Sequence, residues 1–307
     1  VDFDGNDTVA GGADTDTIVL TANATYTDTD FLNVSTVEVI TTTGNTGLVV
    51  NFNANADAAG VSTITGAGSG NDNITIGSAF DNALRINIGT GDDTVTAAAT
   101  SNASVTVSAA ASAIGANDAF TGGNLTGDVI RLSADGGTAT FGGSVTKFET
   151  VQVVAGSTAD NDIVIAMNDA MIIGSNSISV DASGLSNSNA TLTLTSGESN
   201  TNATVNVTGG AGADTITGAS EKSNFSGGAG NDVFRFDSSV LDANDTVSGG
   251  DGTDTIRLTN DTGSYVDTDF VNITGVEVVS ANGAANWSAT FNGNADTAGI
   301  TTVTSEA

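Results

Sequence analysis

The chain has 307 residues, of which 36 are acidic and six are basic, so its formal net charge at pH 7 is −30. This charge excludes nucleic acid as a partner, because phosphate binding needs lysine and arginine. The chain contains no cysteine, histidine or proline, which excludes disulfides and removes most nucleophile–base pairs that enzymes use. We therefore expect a protein that is not an enzyme. Its compact state should need bound cations, since so few basic residues cannot neutralise the carboxylates.

The first predicted element is a pair of nine-residue units in residues 2–19, DFDGNDTVA and GGADTDTIV. Their sixth positions are Asp7 and Asp16, and their eighth positions are apolar. A spacer without glycine pairs follows at 20–64 and is typical of short strands rich in threonine and valine. Its motif DTDF, with Asp28 and Asp30, is interpreted as a second metal site, a turn or a solvated edge.

The next run of units, at 67–130, contains AGSGNDNIT and IGTGDDTV and, after an insertion, NDAFTGG. Three aspartates are the metal-ligand candidates of this run, and two others are weaker candidates. They are Asp72, Asp93 and Asp118, and the weaker Asp92 and Asp128. A second spacer at 133–206 alternates apolar and polar residues, as in SISVD and ATLTLTS, which predicts strands. Glu149 takes the place of Glu38 in the first spacer, and each is either a metal ligand or a buried cap.

The third run, at 209–257, reads GGAGADTIT, GASEKSNFS, GGAGNDVFR, VLDANDTVS and GGDGTDTIR. Position 8 is always apolar, which predicts a core position, and position 6 is aspartate except at Ser223. If two units form one turn of a flattened solenoid, units two apart stack and their aspartates share a row. The candidates are Asp214, Asp232, Asp245 and Asp254, with Asp251 weaker. The last spacer, 259–307, repeats DTDF with the weak candidates Asp267 and Asp269.

The spacing of glycine and aspartate indicates a particular chemistry. Glycine can take the tightly turned, left-handed backbone that side chains forbid, so that carbonyl oxygens converge. The aspartate adds a charged oxygen, and calcium accepts six to eight such ligands in flexible geometry. The carbonyls are expected near the glycines of each unit: Gly5, Gly70, Gly91, Gly212, Gly230 and Gly252. The sequence therefore predicts several Ca²⁺ ions.

These nonapeptides resemble the haemolysin-type, or RTX (repeats-in-toxin), calcium-binding repeat family. The resemblance covers the glycine-rich runs and extends to bacterial surface-layer and giant extracellular repeat proteins. It implies a parallel β-roll, calcium-dependent folding and export from bacteria, so that the chain is expected outside the cell, at the bacterial surface.

A longer repeat contains the short one. YTDTDFLNVSTVEVI at 26–40 parallels YVDTDFVNITGVEVV at 265–279, and FNANADAAGVSTIT at 52–65 parallels FNGNADTAGITTVT at 291–304. We predict a first module at 1–127, a second at 128–253 and a truncated start of a third at 254–307. Because the chain opens inside a unit, we expect it to be part of something longer.

The predicted fold is all-β, and no helix is expected, since apolar residues do not recur at helical spacing for long enough. One architecture is a continuous parallel β-roll or β-solenoid in which the spacers are metal-poor turns. The alternative is a string of β-rolls that alternate with small β-sandwiches. We favour the solenoid, because the strands are short and lack tight Asn-Gly hairpin signals between them.

The function predicted from these features is structural. We expect a calcium-stabilised repeat region of a large secreted surface protein, such as a surface-layer or filament subunit or an adhesin stalk. Self-association into a lattice or filament is the expected partnership, with a cell-surface glycan as a further partner. No apolar run approaches the roughly 20 residues of a membrane span, so no transmembrane segment is expected. The alternative is the calcium-binding portion of a secreted enzyme or toxin whose catalytic part lies elsewhere.

Overall fold

The protein is all-β, and short parallel strands stack as turns of a β-solenoid in the computed structural model. The model describes residues 3–21, 24–44, 47–66, 68–124, 126–157, 161–172, 177–197, 199, 202–237, 240–259, 264–282 and 287–306. The predicted solenoid is thereby confirmed. The spacers form turns of it, since spacer strands pair in parallel with strands of the glycine-rich runs. Alternating β-sandwiches would instead need antiparallel ladders.

Contacts divide the chain into two compact units, residues 1–132 with 141–151, and residues 133–140 with 152–307. Each is described by itself. The predicted modules are repeats of the sequence, and their boundaries stay predictions.

The first unit contains three parallel arrays of strands. The strands that lie wholly within it are β1 (Val9–Ala10), β2 (Thr17–Leu20), β3 (Thr25–Tyr26), β4 (Val34–Ser35), β5 (Val39–Thr42), β6 (Val49–Phe52), β7 (Thr63–Thr65), β8 (Asn73–Ile76), β9 (Leu84–Asn87), β10 (Thr94–Ala97), β11 (Val105–Ala110) and β12 (Ala119–Thr121). They are ordered β1-β4, β12-β10-β8-β6-β3 and β2-β5-β7-β9-β11. The units divide within β13 (Val129–Ser133) and β15 (Thr150–Val154).

The second unit repeats this arrangement. Its strands are β14 (Thr138–Thr140), β16 (Ile163–Ala166), β17 (Ser177–Gly184), β18 (Leu192–Thr195), β19 (Thr204–Thr208), β20 (Thr215–Thr217), β21 (Lys222–Ala229), β22 (Val233–Phe236), β23 (Thr246–Asp251), β24 (Thr255–Leu258), β25 (Ser264–Tyr265), β26 (Ile273–Thr274), β27 (Val278–Asn282), β28 (Ser288–Ala289) and β29 (Thr302–Glu306). They are ordered β14-β16-β18-β20-β22-β24-β27-β29, β17-β19-β21-β23-β26 and β25-β28.

Each strand sends alternate side chains into the solenoid. In β22, Phe234 and Phe236 are buried while Arg235 between them is exposed. Position 8 of all five units in the third glycine-rich run is buried, as the sequence predicts; these residues are Ile216, Phe225, Phe234, Val247 and Ile256. Parallel stacking places these residues on those of neighbouring turns, for example Ile216 on Phe234 and Phe234 on Ile256. Buried phenylalanines therefore fill the core.

Within the described residues, two short α-helices interrupt the strands, α1 (Ala54–Ala59) and α2 (Gly293–Ala298), and each ends at a left-handed glycine. Short 3₁₀ segments occur at Asp28–Phe31, Ala111–Ala113, Asp169–Ile172 and Asp267–Phe270. The expectation of no helix was therefore wrong in detail. Six residues are fewer than two helical turns, too short for a 3.6-residue pattern to show.

No helix in the described ranges is long and apolar enough to cross a membrane.

Candidate cation sites in the aspartate rows

Stacked glycines bring the backbones of successive turns close together. Gly228 and Gly230 have φ of 105° and 120°, and Gly250 and Gly252 have 112° and 137°. A Cβ atom at Gly230 would overlap the carbonyl oxygen of Gly212 one turn earlier, and Gly252 stands in the same relation to Gly230. Only glycine combines this backbone with this approach. The predicted carbonyls of Gly212 and Gly230 therefore form one column.

In the second unit, the position-6 aspartates form a hydrogen-bonded row. The backbone N–H of Asp214 donates to Oδ1 of Asp232 at 2.8 Å, and the N–H of Asp232 donates to Oδ1 of Asp254 at 2.8 Å. Leu192 N–H donates to Oδ1 of Asp214 at 2.7 Å at the start of the row. Each carboxylate thus satisfies a backbone donor of the preceding turn. These residues share the row that the sequence predicts.

The first unit contains an equivalent row. The N–H groups of Leu48, Asp72 and Asp93 donate to Oδ1 of Asp72, Asp93 and Asp118 respectively, each at 2.7 Å. The weaker candidate Asp128 is fully buried in a separate row, where its Oδ1 accepts from Val105 N–H at 2.8 Å.

A local turn orients three of the candidate aspartates. Gly115 N–H donates to Oδ2 of Asp118 at 2.8 Å, and the Gly115 carbonyl accepts from Asp118 N–H at 3.2 Å. The same reciprocal pair joins Asp242 to Asp245. It also joins Asp4 to Asp7. Both carboxylate oxygens of four row aspartates already accept hydrogen bonds, so these are the weaker ligands of the set: Asp118, Asp128, Asp214 and Asp245.

At three equivalent places, a glutamate takes the position that follows an aspartate in a row. Asp16 N–H donates to Oε2 of Glu38 at 2.9 Å. Asp128 N–H donates to Glu149 at 3.0 Å. Asp254 N–H donates to Glu277 at 2.9 Å. The sequence leaves these glutamates open between ligand and cap, and the structure places them in the rows.

Several carboxylates in the rows carry one oxygen with no partner. Among the described residues, Oδ2 of Asp16, Asp93, Asp232 and Asp254 is buried without a hydrogen bond. Asp93 and Asp254 are 0% exposed, and Asp232 is 1% exposed. A buried, unpaired charge is costly unless a proton or a cation neutralises it.

The electrostatics of the rows show this cost. Burial raises the pKa of Asp232 to about 7, and repulsion by Asp214 and Asp254 adds to that rise against the opposing Asp214 N–H. Burial likewise raises the pKa of Asp93 to about 6 and that of Asp245 to about 6. It is also the main cause of raised pKa values in the other buried row aspartates, Asp72, Asp118, Asp128, Asp214 and Asp254.

Unpaired oxygens of the second unit lie close to backbone carbonyls. A Cβ at Gly227 would meet Oδ2 of Asp232 and the carbonyl oxygen of Gly249, and one at Gly249 would meet Oδ2 of Asp254 and the carbonyl of Gly275. In the described part of the chain, no three acidic side chains converge to hold a metal ion. Any cation would therefore be shared between carboxylates and carbonyls. This all-oxygen donor set fits calcium.

The nine-residue unit GASEKSNFS, which has Ser223 in place of the aspartate, differs at the corresponding place. A Cβ at Gly218 would meet the ring of Phe236 at 2.8 Å and the hydroxyl of Ser223 at 3.0 Å. The Phe236 ring stacks on Phe225, with centroids 5.9 Å apart. An aromatic ring thus fills the space where the other units present a carbonyl.

The aspartates of the DTDF motif have a structural role. The carboxylate of Asp28 accepts from the N–H groups of Asn53, Asn55 and Ala56 at 2.8–3.1 Å, at the start of α1. Asp267 does the same for α2. Partial desolvation opposes the effect, but these donors together lower the pKa of Asp267. Of the three readings, the geometry favours the turn.

The remaining candidates lie at the edges of the sites. Asp30 and Asp269 accept from Thr27 N–H and Val266 N–H at 2.7 and 2.8 Å and close their 3₁₀ segments. Asp92 and Asp251 are exposed. The carbonyl of Gly5 accepts from Asn33 Nδ2 at 2.8 Å, and the carbonyl of Gly70 faces Gly91.

Comparison with known proteins returned no match to a family model, to a curated protein or to a solved structure.

Proposed function

We propose that this chain is a calcium-stabilised structural repeat region of a large secreted bacterial cell-surface protein. The observation that carries the proposal is the set of buried carboxylate oxygens without partners among the described residues, several of them beside backbone carbonyls, in a chain of net charge −30. Asp232 and Asp254 represent this set. Calcium bound there would supply the positive charge that the six basic residues cannot supply.

Folding coupled to metal gives such a chain a mechanism. At low calcium, repulsion along the rows opposes the folded state. At about 1 mM calcium, as outside cells, weak extracellular sites fill and their binding free energy becomes folding free energy. A rigid parallel solenoid then offers repeated surfaces for assembly into a lattice or filament.

The test has two stages. Far-ultraviolet circular dichroism and thermal unfolding are compared at about 1 mM calcium and with chelator, and we expect the β signal and the melting temperature to fall on chelation. Negative-stain electron microscopy under both conditions then examines assembly. Filaments or a lattice that appear only with calcium support the structural role. Dispersed particles in both conditions favour the alternative, a calcium-binding portion of a secreted enzyme or toxin. No effect of chelation on stability would refute the calcium mechanism itself.

A further inference from the structure

We propose that Glu38 and Glu277 each complete a cation site of a second type, which joins the glutamate to the buried, unpaired oxygen of an aspartate one turn earlier and to the carbonyl beside that oxygen. At the third glutamate, Glu149, the corresponding oxygen of Asp128 already accepts the Gly123 N–H at 2.7 Å, so no site is proposed there. The inference rests on the proposed calcium binding. It extends that binding to residues outside the nine-residue units, at the junction with a spacer.

The glutamate stands in the place of the next aspartate. Thr255 pairs with Val278 in the β24–β27 register, so Glu277 lies opposite Asp254, as Asp254 lies opposite Asp232 in the preceding turn. Its Oε2 accepts the Asp254 N–H at 2.9 Å, the role that Oδ1 has elsewhere in the row. The row therefore continues by one carboxylate into the spacer.

A residue with left-handed backbone precedes each glutamate by two positions. Thr36, Lys147 and Gly275 have φ of 52°, 61° and 61°. Non-glycine residues rarely adopt this conformation. This backbone has the same consequence at all three places. The carbonyl of each residue points at the glycine that begins the preceding nine-residue unit: Thr36 to Gly11, Lys147 to Gly122 and Gly275 to Gly249.

The oxygens around Gly249 form the best-defined case. Asp254 is 0% exposed and its Oδ2 has no partner among the described residues. That oxygen and the Gly275 carbonyl lie on the same side of Gly249. The Glu277 carboxylate holds the Asp254 N–H at 2.9 Å, so the two carboxylates lie on adjacent turns. The unpaired oxygen of Asp254, the carbonyl beside it and the charge of Glu277 together suit a hard divalent cation.

Glu277→Gln is the direct test. The glutamine amide oxygen can still accept the Asp254 N–H, so the hydrogen bond between the two turns is kept while the negative charge is removed. Asp296→Asn is the matched control, because it removes one charge from an exposed position of the same unit. Calcium bound per chain is counted by equilibrium dialysis with ⁴⁵Ca at about 1 mM.

We expect wild type and D296N to bind the same number of ions, and E277Q to bind a single ion fewer while retaining its β signal in calcium. Glu38→Gln repeats the test at Asp16 in the other unit, so a folding defect in one variant does not decide the result. Equal calcium stoichiometry and affinity in E277Q, E38Q and wild type would overturn this inference but not the proposed function. Failure of the wild type to bind any calcium would overturn the proposed function as well.

Discussion

Replacing Asp232 by asparagine should have opposite effects with and without calcium. Asparagine keeps an oxygen that can accept the Asp214 N–H, which Oδ1 of Asp232 now accepts at 2.8 Å. It removes the negative charge on the other oxygen, which is buried and unpaired. Without calcium this charge destabilises the fold, whereas in the proposed calcium site it becomes a ligand.

The size of the effect follows from the pKa of Asp232. That pKa rises from 3.8 to about 7 on folding, a difference of about three units, and each unit corresponds to about 1.4 kcal/mol. Between about pH 4 and pH 7 the folded state binds more protons than the unfolded state, so stability falls as pH rises. Above the pKa of the folded state, the ionised Asp232 carboxylate lowers the free energy of unfolding of the metal-free protein by up to about 4 kcal/mol.

Urea unfolding followed by circular dichroism measures this difference. In metal-free buffer at pH 8, we expect the free energy of unfolding of D232N to exceed that of wild type by about 1–4 kcal/mol. Near pH 4 the two should agree, because wild-type Asp232 is then protonated. In about 1 mM calcium the order should reverse. A variant less stable than wild type in metal-free buffer at pH 8 would refute the reasoning about buried charge.

Two further predictions use the same unfolding assay, and a third uses the circular dichroism signal alone. Gly230→Ala should lose about 1–3 kcal/mol, because its φ of 120° is strained for alanine and the Cβ meets the Gly212 carbonyl. Gly143→Ala, with nothing within 4 Å of its Cβ, should change stability by no more than about 0.5 kcal/mol, and equal losses would contradict the steric argument. Asp28→Ala should lose about 1–2 kcal/mol whether or not calcium is present, because its three N–H contacts need no metal; a loss seen only in calcium would restore the second-site interpretation. Chelated wild type should gain β signal on acidification from pH 8 to pH 5, since raised pKa values let protons replace cations at Asp93 and Asp245; an unchanged or weaker signal at pH 5 would count against this.

Much of the fold was predictable because the periodicity is simple. Alternation in the strands and the apolar eighth position specify which side chains enter the core, and Ile216 and Phe234 do so. The nine-residue period also predicts stacking of every second unit, which places Asp214, Asp232 and Asp254 in one row. These features depend on local spacing alone, which the sequence contains in full.

Other features depend on contacts between turns and could not be predicted from spacing. Asp28 and Asn53 are far apart in sequence, and only the stacked turn brings that carboxylate to the start of α1. The three glutamates recur visibly, but their role depends on the register that sets Glu277 opposite Asp254. A residue with left-handed backbone lies two positions before each glutamate. Only Gly275 could have indicated this backbone in the sequence, because Thr36 and Lys147 stand at the equivalent positions instead of glycine.

In Asp232 and Asp254 the two carboxylate oxygens have separate tasks. One oxygen, as in Asp232, accepts a backbone N–H of the preceding turn and so holds the register of the stack whether or not metal is bound. The other is left buried beside carbonyls, where it destabilises the fold until a cation or proton arrives. A row of fully paired carboxylates would give a solenoid that is stable everywhere. Leaving the second oxygen unpaired makes the same architecture depend on its ionic surroundings, as the proposed coupling of folding to calcium requires.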